Sequence, residues 1–264
     1  MSTSTFNQHL RFATCVSRAS WLALAFVQVA CGSSDSISPT STSLTGTQSI
    51  ASVVTGKYKS AVTISTSGAN LVLKSAGVPD HVTPYWGVGN ALYEAQIAGH
   101  VINPGALTSQ TFVMTIPSSP ATAPTKEETS LGPIGMALNG VAIFNDREGG
   151  NVPVDARTLL SFDRAGAHSG PGGLYHYHFD GDFTSKDDAK LLGFLRDGFP
   201  IYGRKDMDGT YPADLDANGG HTKATTEFST AIYHYHTSKV NYLNGGYYVL
   251  KSGSYNGTKG TFTF

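Results

Sequence analysis

Tyr175-His176-Tyr177-His178 decides how this chain reads, because it returns 58 residues later as Tyr233-His234-Tyr235-His236. Successive side chains of a strand point to opposite faces, so His176 and His178 share one face and Tyr175 and Tyr177 the other. Two imidazoles spaced this way can converge on one ion, each with a bond of about 2.0–2.1 Å. The tyrosines would then pack behind them and stiffen the platform, as Tyr233 and Tyr235 would behind His234 and His236. A single such pair reads equally well as solvated histidines at a strand edge. Recurrence is what favours a metal.

Working outward, Gly135–Phe144 lines up with Gly193–Tyr202 at the same offset of 58, and Asp163-x-x-Gly166-x-His168 with Asp216-x-x-Gly219-x-His221 at an offset of 53. The three elements recur in the same order over about residues 131–179 and 190–237. Two copies are too few for a solenoid. The expectation is one domain over residues 50–264 with an internal pseudo-twofold duplication. Equivalent residues face each other at such an axis, which predicts one shared site. Its first ligands would be His176, His178, His234 and His236, followed by His168 and His221. Asp163 and Asp216, each five residues before a histidine, would orient the rings. Six crowded imidazoles would repel one another on protonation, which favours a role that keeps them neutral.

Elsewhere, short β-branched and aromatic runs alternate with Gly, Pro, Asn and Asp. Strands are expected at Lys59–Ile64, Asn70–Lys74, Thr111–Ile116, Val141–Phe144, Leu174–Phe179, Ala231–Thr237, Gly246–Leu250 and Thr261–Phe264. This is the pattern of an all-β or mainly β domain, a sandwich or barrel. One short helix is expected from Ser185 to Leu195, started by Ser185 and Asp188 and stopped by Asp197-Gly198.

Asp206-x-Asp208-Gly209 and Asp214-x-Asp216-x-Asn218 resemble the opening of a calcium loop, with Asp206, Asp208, Asp214 and Asn218 as its oxygens. The closing Glu is absent, since Thr225 stands at the twelfth position, and Asx-Gly turns account for the same residues. There is no nucleophile elbow, His-Glu-x-x-His, phosphate-binding loop or dinucleotide fingerprint. Ser169 reads as a turn residue.

Taken together, Asn139–Asn145, Tyr175–His178, Asp197–Gly203, Leu215-Asp216 with Gly219-Gly220-His221, and Tyr233–His236 resemble the YHYH-domain proteins. Pro79-Asp80-His81 with Trp86 fits that family's opening segment, so the resemblance runs over about residues 78–250. It implies a domain and a histidine cluster in a typically exported protein, and names no reaction.

The first 30 residues carry Arg11 and Arg18, a ten-residue apolar run from Trp21 to Ala30 and no acid, the layout of a signal peptide. Val29-Ala30-Cys31-Gly32 resembles a lipobox, so Cys31 is the expected lipidation site. Residues 31–49 are a Ser/Thr-rich tether. The chain is expected in the bacterial cell envelope, touching membrane through its lipid only. With Cys15 removed and Cys31 modified, no disulfide is expected. Charged residues are 14% and the net charge is −1, which excludes a nucleic-acid partner.

Imidazole ligands suit zinc or copper better than calcium. An open coordination position would allow a metal-dependent hydrolase or a copper oxidoreductase; a closed one, a structural or metal-capturing role. The alternative is a non-catalytic cell-surface binding module whose tyrosine-rich faces stack on a sugar or peptide, with the Tyr and His residues as structural framework.

Overall fold

The computed structural model describes residues 48–178 and 188–264. The expected signal peptide, Cys31 and most of the tether lie outside the described residues. Helix α1 (Ile50–Lys57) comes first, where no helix was expected. Ser49 caps it by accepting the Ser52 N–H at 3.1 Å, and Ile50, Val53 and Val54 form its buried stripe.

Strands β1 (Thr63–Ser67), β2 (Asn70–Ser75) and β3 (Phe112–Pro117) follow, then β4 (Gly135–Ala137) and β5 (Ala142–Ile143). A small hairpin, β6 (Arg147–Glu148) and β7 (Val152–Pro153), precedes the one-turn helix α2 (Ala156–Leu159), β8 (Ala167–Ser169) and β9 (Tyr175–Tyr177). The second half contributes β10 (Leu191–Leu195), β11 (Pro200–Tyr202), β12 (Gly220–Lys223), β13 (Ile232–His236) and β14 (Thr261–Thr263).

These strands form an antiparallel sheet in the order β1-β2-β3-β14 and a larger one in the order β12-β13-β11-β10-β4-β5-β9-β8. Neither closes into a barrel. The order of the large sheet reads alike from both ends when strands are matched by sequence offset. At its centre β4 and β10 run antiparallel, with Met136 opposite Phe194, residues that are themselves 58 apart. On each side comes a parallel pair, β5 with β9 and β11 with β13, and then an antiparallel pair, β8 with β9 and β12 with β13.

The large sheet is covered on both faces. On one, Met136, Ala142, Phe194 and Tyr202 pack against Leu71, Leu73, Phe112, Met114 and Ile116 of the small sheet and against α1. On the other, Ala137, Ile143, Leu195 and Ile201 pack with Tyr175, Tyr177 and Tyr235. The tyrosines therefore lie behind the histidines, as alternation requires.

Two-sided burial explains the expected helix that is not there. All five residues of β10 are buried. A strand apolar on both faces has no alternation to display, so its leucines mimic a helical stripe. The part of that expected helix at residues 185–187 lies outside the described residues. The expected strand at Gly246–Leu250 is irregular backbone, and the one at Lys59–Ile64 begins only at Thr63.

Candidate metal centres

His176 is paired in register with Ala142, which places its ring on the face carrying the small sheet, beside the centre that sheet occupies. His178 follows two residues later, and His168 stands opposite His176 on β8. Hairpin β6-β7 brings Glu148 to the same point. The Nε2 atoms of His168 and His176 are 3.1 Å apart, as are those of His176 and His178. Glu148 Oε1 lies 3.1 Å from His168 Nε2 and 3.0 Å from His178 Nε2. A tetrahedral ion with bonds of about 2.0–2.1 Å has ligand–ligand edges of about 3.3–3.4 Å. These four separations are close to those edges, and all four atoms lie within 4.8 Å of one another.

The other ring nitrogens settle the protons. His176 Nδ1 is 3.0 Å from the Leu174 carbonyl, and His178 Nδ1 is 2.5 Å from the Asn145 carbonyl. A carbonyl can only accept, so both Nδ1 atoms carry a hydrogen, and in the neutral ring Nε2 then presents a lone pair. His168 Nδ1 lies 2.7 Å from Ser161 Oγ, whose single hydrogen goes to the Thr158 carbonyl at 2.6 Å. Ser161 thus accepts from His168, and the third Nε2 is a lone pair too. Burial pushes the His168 pKa below its ordinary value and that of His176 well below. Glu148 Oε1 is buried and, among the described residues, meets the His168 and His178 ring nitrogens alone. Three ring nitrogens and a carboxylate oxygen converge on one point, a set that could hold a metal ion.

The second half repeats this arrangement. His221 Nε2 lies 3.0 Å from His234 Nε2 and 3.2 Å from His236 Nε2, and Asp206 Oδ1 is 3.0, 3.9 and 3.4 Å from His221, His234 and His236. His234 Nδ1 donates to the Ile232 carbonyl at 3.0 Å and His236 Nδ1 to the Gly203 carbonyl at 2.7 Å. Both acceptors stand 58 residues after their counterparts. His221 Nδ1 meets Asp214 Oδ1 at 2.9 Å, and Asp214 stands 53 after Ser161. Hydrogen bonds from His221 and Lys223 pull the Asp214 carboxyl down to about 2. Burial holds His234 down at about 4 and lowers His236 as well.

The expected single shared site is therefore corrected to two groups, Glu148 with His168, His176 and His178, and Asp206 with His221, His234 and His236. Strands β9 and β13 are five positions apart in the sheet, roughly 24 Å at about 4.8 Å per strand. Symmetry about the centre of an open sheet carries equivalent strands away from the axis, and only β4 and β10 meet there.

Asp163 and Asp216 do not touch the rings either. They accept from the hydroxyls of Tyr175 at 2.6 Å and Tyr233 at 3.0 Å, and so act on the opposite face of the sheet. Behind β13, the buried Asp197 takes the Tyr235 hydroxyl at 2.6 Å. Behind β9, the Tyr177 hydroxyl meets Asn139 at 2.9 Å and His81 at 2.8 Å.

The four residues expected around calcium do not converge. Asp208 accepts from Thr210, Asn218 from the Ser254 amide, and Asp214 from His221 and Lys223. Asp206 instead completes the second histidine group. Sequence reasoning missed Glu148, although it stands 58 before Asp206. Carrying the offset a few residues past Phe144 and Tyr202 would have paired them.

Residues 113–211 match the model of a family described as YHYH protein. The matched stretch holds all four members of the first group and, from the second, Asp206. Among curated proteins and solved structures, none matches the chain.

Proposed function

The chain carries a YHYH domain, and on that premise we propose that the domain binds two transition-metal ions, one in each histidine group, as closed non-catalytic centres. The observation that carries this reading is the commitment of all six Nδ1 atoms to acceptors, which turns six Nε2 lone pairs inward in two sets of three. A carboxylate oxygen completes each set. Three imidazoles and one carboxylate suit zinc or copper, and four protein ligands leave no position for a reacting water. The bound ion would tie β6, β8 and β9 together in one half, and the loop holding Asp206, β12 and β13 in the other. Metal-dependent stability or metal capture follows from this more directly than hydrolysis or redox catalysis.

The repeated sequence, the mirrored strand order and the matched ring acceptors support reading the domain as two copies of one unit. The layout of residues 1–31 supports export and anchoring through Cys31. Untagged protein should lose thermal stability in chelator and regain it on addition of zinc or copper. X-ray absorption at the metal edge should show nitrogen and oxygen neighbours, about three to one, at roughly 2.0–2.1 Å. A protein indifferent to chelator would leave the framework-only reading, with the tyrosine faces and histidines as scaffold.

A further inference from the structure

The two halves differ where the second should copy the first. Phe162 is fully buried and lies over the first group, stacked on His178 at 5.0 Å and 17° and edge-on to His168 at 5.0 Å. It belongs to an apolar plug with Val154, Leu159, Tyr247 and Val249. The residue 53 later is Leu215, only half-buried, and among the described residues no such plug forms over the second group.

In its place lies a cleft of about 350 Å³ that reaches His236 and is walled by Leu215, Pro212, Val240 and Leu250. Its charged lining is Arg204, Lys239, Lys251 and Asp216. Arg204 is committed to Asp188, at 2.7 and 2.8 Å, and lies over the Tyr248 ring. Asp216 is taken up by the Tyr233 hydroxyl and by the amides of Asn218 and Gly220. Lys239 and Lys251 are exposed and form no ion pair among the described residues.

We propose that this cleft beside His236 is a binding site for a small oxyanion, a carboxylate or phosphate, held by Lys239 and Lys251 against the apolar wall of Leu215, Val240 and Leu250. Two uncompensated ammonium groups on one apolar rim attract an anion, and the wall displaces the water that would otherwise screen it. Leu215, where the first half has Phe162, is one wall of this cleft. The proposal does not depend on an ion in either histidine group.

The test is a titration of the full-length protein, metal-loaded and chelator-treated, with inorganic phosphate and separately with succinate. Binding is followed by amide chemical shifts at Ser238–Val240 and Leu250-Lys251. Saturable shifts confined to these residues are expected in both metal states for at least one of the anions. Whichever anion binds more tightly identifies the source. Lys239→Ala with Lys251→Ala should weaken binding by about tenfold or more, on the scale of lost charged hydrogen bonds. Leu215→Phe, which narrows the cleft and leaves both lysines in place, should weaken it further. Non-saturable shifts that vanish with added salt, or either anion binding equally well to the double lysine variant, would overturn the proposal. Failure of metal to bind at all would overturn the proposed function and leave this result standing.

Discussion

Ser161 and Asp214 occupy matched positions behind His168 and His221, one a neutral hydroxyl and the other a carboxylate. Each fixes the tautomer that turns Nε2 towards its group. Partners of this kind commonly govern metal affinity by 10–100-fold. Ser161→Ala should therefore weaken metal binding in the first group alone, and Asp214→Ala in the second alone, as competition against a coloured chelator would show. The histidines also set a pH dependence. Burial lowers the pKa of His168, His176, His234 and His236 in the folded chain below the unfolded value, to about 4 for His234. In that window the unfolded state binds more protons, so stability rises with pH. The histidine contribution is complete above about 6.5 and lost as the pH falls towards 4. Metal-free protein should accordingly show a thermal midpoint that drops across this range; a flat profile would mean that these rings are not held neutral by burial.

At the scale of elements, the seam between β4 and β10 holds the sheet's two halves together at matched glycines. A Cβ on Gly193 would lie 2.3 Å from the Met136 carbonyl oxygen, and one on Gly135 would lie 2.5 Å from that of Phe194. Backbone cannot yield as a side-chain tip can. Gly193→Ala should cost about 1–3 kcal/mol, the range of overpacked cores, measured as a lowered denaturant midpoint with unchanged slope. Strands β9 and β13 were legible in the sequence because His and Tyr alternate on a sheet with different tasks on its two faces. Strand β10 was not, because both of its faces are apolar. Glu148 escaped for another reason: it sits in the two-residue strand β6 beyond the matched segments, too short to carry a period. Asp206 was noticed but given to calcium, since spacing along a loop says nothing about the strand it will face. Helix α1 was hidden by its length of eight residues and by an apolar stripe of only three.

For the whole molecule, the repeat was visible but not where its symmetry axis would fall. An axis through the histidines would make one site; the two candidate groups instead lie on either side of the seam where Met136 stands opposite Phe194. The cysteines, Cys15 and Cys31, both precede the described domain, so reducing agent should leave its thermal midpoint unchanged. If Cys31 carries the proposed lipid, Cys31→Ser should move the protein from the membrane to the soluble exported fraction; an intact Met1 on the cellular protein would contradict export through this segment. The number of sites is the claim on which the rest depends, and metal content per chain measures it. Elemental analysis of untagged protein, loaded with zinc or copper and freed of excess, should give two ions per chain. His176→Ala and His234→Ala should each lose one, and the double variant both, in strict addition. One ion per wild-type chain, lost alike in either single variant, would restore the shared site and contradict this account, and no ion at all would remove the metal from it.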